Sequence, residues 1–152
     1  MASPRSAGYS LIELLMYIAI IGILAALILL GVLAARSKAA DARIRNDIAQ
    51  LRWEAEIVFD SQGANFTGWS RYHSVSDQVE ILLADIADAL GGTGAATVLD
   101  GDSDSYCVSA PLVSASNRHY CVDHRGTFEE VSSPCLDVDP DPSAVQFECP
   151  AS

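Results

Sequence analysis

Residues 8–35, GYSLIELLMYIAIIGILAALILLGVLAA, decide how the rest of the chain is read. Between Leu11 and Ala35 there is a single charge, Glu13, and the run exceeds the roughly 20 residues a helix needs to cross a bilayer. One membrane-spanning helix is therefore expected. Beyond Arg36 the composition changes to polar, glycine-bearing and acidic, as in a water-facing domain. The 152 residues do not spread their apolar content as one globular core would.

The first eight residues, MASPRSAG, are too short and too polar to be a secretory signal with its own apolar core. An ordinary signal peptide carries its apolar stretch ahead of the cleavage site and loses it. Here the natural break, Gly8-Tyr9, precedes the apolar stretch, so cleavage leaves the helix on the mature chain. Downstream, Ala40, Ile44, Ile48, Leu51, Ala55 and Val58 recur at spacings of four and three, one apolar stripe on a continuing helix. Asp41 with Arg45, Arg43 with Asp47, and Arg52 with Glu56 stand one turn apart, which predicts ion pairs along the exposed faces. No Pro or Gly interrupts Val32 to Gln62, so one helix is predicted from about Ser10 to about Asp60.

The remainder reads as a small head. SQGANFTGWSRYHS is a loop, with Gly63 and Gly68 as breakers. Asp77, followed by Glu80, is placed to cap a helix over about 78–90, with Val79, Leu82, Leu83, Ile86 and Leu90 on its buried face and Gly91-Gly92 at its end. Three β-like segments, SYCVSAPLV, RHYCVDH and GTFEEVS, predict an antiparallel meander over about 105–132. The tail, 134–152, holds Pro134, Pro140, Pro142 and Pro150 and reads as a cysteine-closed loop rather than a strand.

All four cysteines, Cys107, Cys121, Cys135 and Cys149, lie in the last third, which fits two disulfides in an oxidising compartment. Of the three possible pairings, Cys107 with Cys121 and Cys135 with Cys149 is expected: the first would staple neighbouring strands, the second would close the tail. The basic cluster Arg36, Lys38, Arg43, Arg45 and Arg52 taken alone would hold its side of the membrane in the cytoplasm. The cysteines outweigh it, because those basic residues are interleaved with acids, and so the C-terminal domain is placed outside.

At Gly8-Tyr9-Ser10-Leu11-Ile12-Glu13-Leu14-Leu15 the sequence resembles the type IV pilin and pseudopilin family. Its precursors have a short class III leader, a glycine, an aromatic residue, and a glutamate fifth in the mature chain. Tyr9 stands where phenylalanine is usual, and Leu30 where the family commonly has proline; Gly22 and Gly31 are the sites where the helix would loosen instead. A glutamate in an otherwise charge-free span costs on the order of 3 kcal/mol by insertion scales and so needs a partner. The resemblance supplies one. Cleavage after Gly8 creates an α-amine on Tyr9, normally N-methylated in the family, and the Glu13 carboxylate of one subunit would pair with that amine on its neighbour.

The resemblance implies an α+β pilin fold: a long helix packed on a small antiparallel sheet, divided as leader 1–8, membrane and assembly half 9–35, amphipathic half 36–60, and head 61–152. It implies a non-enzymatic structural subunit, cleaved by prepilin peptidase and handed to a pilus assembly platform. The subunit would sit as a single-pass protein of the cytoplasmic membrane with its C-terminus outside, then in an extracellular homopolymer. A pseudopilin or minor pilin of a type II secretion or competence machine shares this chemistry. A signal-anchored binding module that never polymerises is the alternative outside the family.

Other chemistry is sparse. The formal net charge of −11 argues against nucleic acid as a partner, since phosphates are held by clustered Lys and Arg. No G-x-S-x-G, H-E-x-x-H or phosphate-binding glycine loop is present. Zinc at Cys121 with His119 and His124 lacks a second ligand pair. Asp100, Asp102 and Asp104 alternate as calcium ligands do, and Asp137, Asp139 and Asp141 repeat the spacing. The first stretch lacks the glycine and distal glutamate of an EF-hand, and short acidic loops are usually just solvated.

Overall fold

The computed structural model describes residues 10–71, 75–92, 94–99, 104–137 and 147–150. Helix α1 runs from Leu11 to Ser61 without a break, through Gly22 and Gly31, as the absence of proline and the continuing periodicity predict. Two compact units divide the chain, Met1–Arg36 and Ser37–Ser152. In the first, every described side chain of α1 is exposed, including sixteen large apolar ones between Leu11 and Leu33.

In the second unit the stripe Ile44, Ile48, Leu51, Ala55 and Val58 is fully buried. It packs in one core with Val79, Leu82 and Ile86 of α2 (Ser76–Ala89) and with Val108, Ala110 and Val122 of the sheet. Helix α1 ends where Gly63 and Ala64 both turn to positive φ, and the Ala64 N–H closes on the Phe59 carbonyl at 2.9 Å. The loop that follows is not an idle connection. It drives Phe66 and Trp69 into the core, where Phe66 stacks on Phe59 at 4.4 Å and both Phe66 and Trp69 meet the Tyr106 ring.

Helix α2 begins one residue before Asp77, and its N-cap is Val75, with no side-chain capping bond, so the predicted Asp77 cap does not form. Asp77 instead lies in the first turn, where a carboxylate still favours the helix dipole. The other end follows the prediction. Gly91 and Gly92 adopt positive φ, and their N–H groups reach the Asp88 and Ala87 carbonyls, a Schellman ending.

Four strands form an antiparallel meander in the order β1-β2-β3-β4: Thr97–Leu99, Cys107–Pro111, His119–Asp123 and Phe128–Val131. The predicted meander captured the last three; β1 is an additional edge strand. Alternation sends Val108, Ala110 and Val122 to the helix core, while Cys107, Cys121 and Val131 face a second cluster with Cys135, Phe147 and Cys149. That second cluster is made by the tail. Its ends pair as a two-stranded ladder, β5 (Leu136–Asp137) with β6 (Phe147–Glu148), where a strandless loop was expected.

The disulfides are Cys107–Cys135 and Cys121–Cys149, not the expected pairs. Register explains the difference. Cys107 stands opposite Asp123 and Cys121 opposite Ser109, so the two cysteines of the adjacent strands are diagonal rather than facing. Each side chain instead points out of the sheet toward the tail that covers it.

Candidate functional site

The start of α1 is built by two residues. The Ser10 carbonyl accepts the N–H groups of Glu13 and Leu14 at 3.1 and 3.2 Å, and a Glu13 carboxylate oxygen accepts the Ser10 N–H at 2.9 Å. The carboxylate thus folds back over the first turn and satisfies one of the helix's orphan donors. An anion there also meets the positive end of the helix dipole, which reduces the cost of carrying it beside an apolar run. Gly8 and Tyr9 lie outside the described residues.

Immediately after Glu13 the helix surface is apolar on all sides. Leu14, Leu15, Met16, Tyr17 and Ile18 are each at least half exposed, and the exposure continues through Leu33. Fully burying side chains of this size is worth about 1.5–3 kcal/mol each. Such a surface has two stable environments, lipid or a sheath of equivalent helices.

The amphipathic part of α1 uses its charges differently from the spacing alone. Only Arg52 and Glu56 stay together as an i,i+4 pair, at 3.8 Å. Arg43 turns to Asp85 and Asp88 of α2, and Arg45 reaches Glu130 of β4 at 2.5 Å. Asp41 is buried and accepts the Val113 N–H at 2.6 Å, the Ser114 N–H at 3.2 Å and the Ser114 hydroxyl, holding the loop after β2. Asp47 is buried beside Asp85; burial first, then the Asp85 carboxyl, pushes it up to about 6. Asp123, also buried, accepts the Arg125 and Thr127 N–H groups with one oxygen and the Cys149 N–H with the other. Asp41 and Asp123, which brace the head in this way, were missed at the sequence level, because their partners are distant backbone groups.

Of the acidic triplet proposed for calcium, Asp104 is an exposed turn residue, and Asp100 and Asp102 lie outside the described residues. Asp139 and Asp141 of the second stretch do as well. Cys121, the centre of the zinc alternative, is committed to its disulfide with Cys149. Asn65, in the glycosylation-like triplet with Phe66 and Thr67, accepts the Thr67 N–H at 2.7 Å, and Phe66 is in the core.

A family model described as a prokaryotic N-terminal methylation motif matches residues 3–29, the class III leader of type IV pilins and pseudopilins. The match takes in Gly8, Tyr9, Glu13 and most of the apolar run, and it ends before the head. No curated protein and no solved structure matches the chain.

Proposed function

We propose that this chain is the structural subunit of a type IV pilus-like filament, trimmed after Gly8, N-methylated at Tyr9 and polymerised through α1. The observation that carries this reading is the methylation motif set on a helix whose described large apolar side chains from Leu11 to Leu33 are all exposed. While the subunit spans the membrane, lipid covers that surface. Once it leaves, only like helices can, and their association rests on close packing rather than on a hydrophobic force between them. The leader supplies the order of events: the peptidase acts on the cytoplasmic side, the helix stays in the bilayer, and the cysteine-bearing head stands in the oxidising space.

Glu13 has a dual place in this scheme. In the single subunit it caps its own first turn; in the filament its carboxylate pairs with the methylated amine of a neighbouring Tyr9, so that neither charge is left alone in a low-dielectric sheath. Removing one member of such a pair typically costs 3–5 kcal/mol.

The test separates processing from assembly. With each variant as the sole copy, Gly8→Val leaves full-length precursor in the membrane and no filament. Glu13→Ala is trimmed normally but loses sheared filament. Normal filament yield from Glu13→Ala refutes the pairing, and trimming at Tyr9 in the Gly8 variant refutes the leader. The complete absence of filaments from the wild-type chain favours an anchored, non-polymerising module. An adjacent secretin, competence channel or retraction motor gene distinguishes a pseudopilin from a pilus subunit.

A further inference from the structure

The five basic side chains of the amphipathic part of α1 do not share one fate. Arg43 turns to Asp85 and Asp88, Arg45 to Glu130, and Arg52 to Glu56. Arg36 and Lys38 are exposed and have no ion pair among the described residues. Helical spacing gives them none either. The one acid within a turn of either residue along α1 is Asp41, which is buried and directs both carboxylate oxygens to Val113 and Ser114.

Their place in the chain says what they meet. Between Glu13 and Arg36 lie 22 residues without a charge. At a rise of about 1.5 Å per residue, Arg36 stands about 35 Å along the helix from Glu13, against a hydrocarbon core of about 30 Å. Glu13 at one edge therefore leaves Arg36 just past the other, at the depth of the lipid phosphates, and Lys38 follows two residues on. Both side chains have apolar stems that lie along the span while the charge reaches the headgroups. Successive residues turn about 100° on a helix, so the two point to nearly opposite sides and meet different lipids.

Charge selects the kind of lipid. Residues 39–152 hold six basic and nineteen acidic side chains, so the head itself is repelled by an anionic membrane surface. Cations on the translocated side also run against the usual bias of flanking charge, which calls for a local partner there.

We propose that, while the subunit sits in the bilayer, Arg36 and Lys38 hold the phosphates of anionic lipids in the leaflet on the side of the head, and so fix the depth of α1. The proposal rests on the part of the reading above that places α1 across a membrane with the head outside; it holds for a filament subunit and for an anchored module alike. Attraction to an anionic surface is worth about fivefold for each such cation.

The test reconstitutes the full-length chain into nanodiscs of equal phosphatidylglycerol and phosphatidylcholine, releases it into mild detergent and counts the retained lipids by native mass spectrometry. Wild type is expected to retain phosphatidylglycerol about fivefold over phosphatidylcholine, and Arg36→Gln combined with Lys38→Gln to retain the two equally. Both disulfides are expected to form in that double variant, since neither cation is paired with the head. Arg125→Gln, which removes a cation already paired with Glu148, is expected to keep the wild-type selectivity. No preference in wild type overturns the proposal. So does a preference that survives the double variant, which assigns it to Arg5 or another cation, or one that Arg125→Gln also abolishes, which assigns it to net charge. All of these leave the membrane span standing; a chain that alkali strips from membranes overturns the span itself.

Discussion

Asp47 shows how one residue can work against the fold that contains it. Only 4% of it is exposed, one of its carboxylate oxygens lacks a hydrogen-bond partner, and it faces Asp85, which Arg43 already holds as a carboxylate below its usual range. Burial and the Asp85 carboxyl raise Asp47 to about 6, against an opposing contribution from Arg43. The folded state therefore keeps a proton that the unfolded chain releases between about pH 4 and 6. Stability contributed by this group rises as pH falls from about 6 toward 4, and at neutral pH the residue is a liability. Asp47→Asn is expected to stabilise the head by roughly 1–2 kcal/mol at pH 7 and to flatten its melting temperature between pH 4 and 6. Thermal unfolding of the detergent-solubilised full chain at pH 5 and 7 reads both effects, and a variant less stable than wild type at pH 7 contradicts them. Asp85 acts in the opposite sense at lower pH, since its Arg43 partnership is lost as it protonates. Nothing at the i,i+4 spacing of Arg43 and Asp47 reveals this, because it is α2 that draws the guanidinium away.

Among the elements, legibility followed the strength of the local signal. Helix α1 was readable nearly to the residue, because an apolar run without proline and then a stripe at spacings of three and four continue up to Gly63. Strands β2, β3 and β4 were readable from their β-branched and aromatic content, whereas β1, β5 and β6 are two or three residues long and show no alternation to detect. The disulfide pairing was not readable at all, since it depends on cross-strand register and on how the tail folds over the sheet. Both bridges close segments of sequence separation 28, each worth about 3.5 kcal/mol by the chain-entropy account. Together they fasten to β2 and β3 a tail whose own ladder is only two residues long on each side. The pairing has a direct chemical signature. After unfolding without reduction, trypsin cuts at Arg71, Arg118 and Arg125 and puts Cys107, Cys121 and the last two cysteines on separate peptides. The observed bridges join all three peptides, and further cleavage ahead of Asp137, Asp139 and Asp141 resolves them into a Cys107–Cys135 and a Cys121–Cys149 species. Release of 126–152 as an independent, internally bridged peptide contradicts this connectivity.

For the whole molecule, the decisive quantity is charge. The formal net charge is −11, and in the proposed trimmed subunit, without Arg5, the side chains would stand at −12. The first unit is almost uncharged, so nearly all of that charge is carried by residues 37–152. In the proposed filament, packing of the apolar helices has to outweigh repulsion among heads, which salt screens over about 10 Å at 0.1 M. Two filaments approaching side by side each present an acidic exterior, and their long-range interaction is repulsive at neutral pH. Protonation toward the sequence pI of about 4.4 removes that barrier, as do divalent cations that bridge carboxylates. Purified filaments are therefore expected to stay dispersed at pH 8 and low salt and to bundle as pH approaches 4.5 or as magnesium is added. Low-speed sedimentation measures this, because bundles pellet where single filaments do not. If the pelleted fraction is the same at pH 8 and pH 4.5, the acidic head residues do not control how filaments associate.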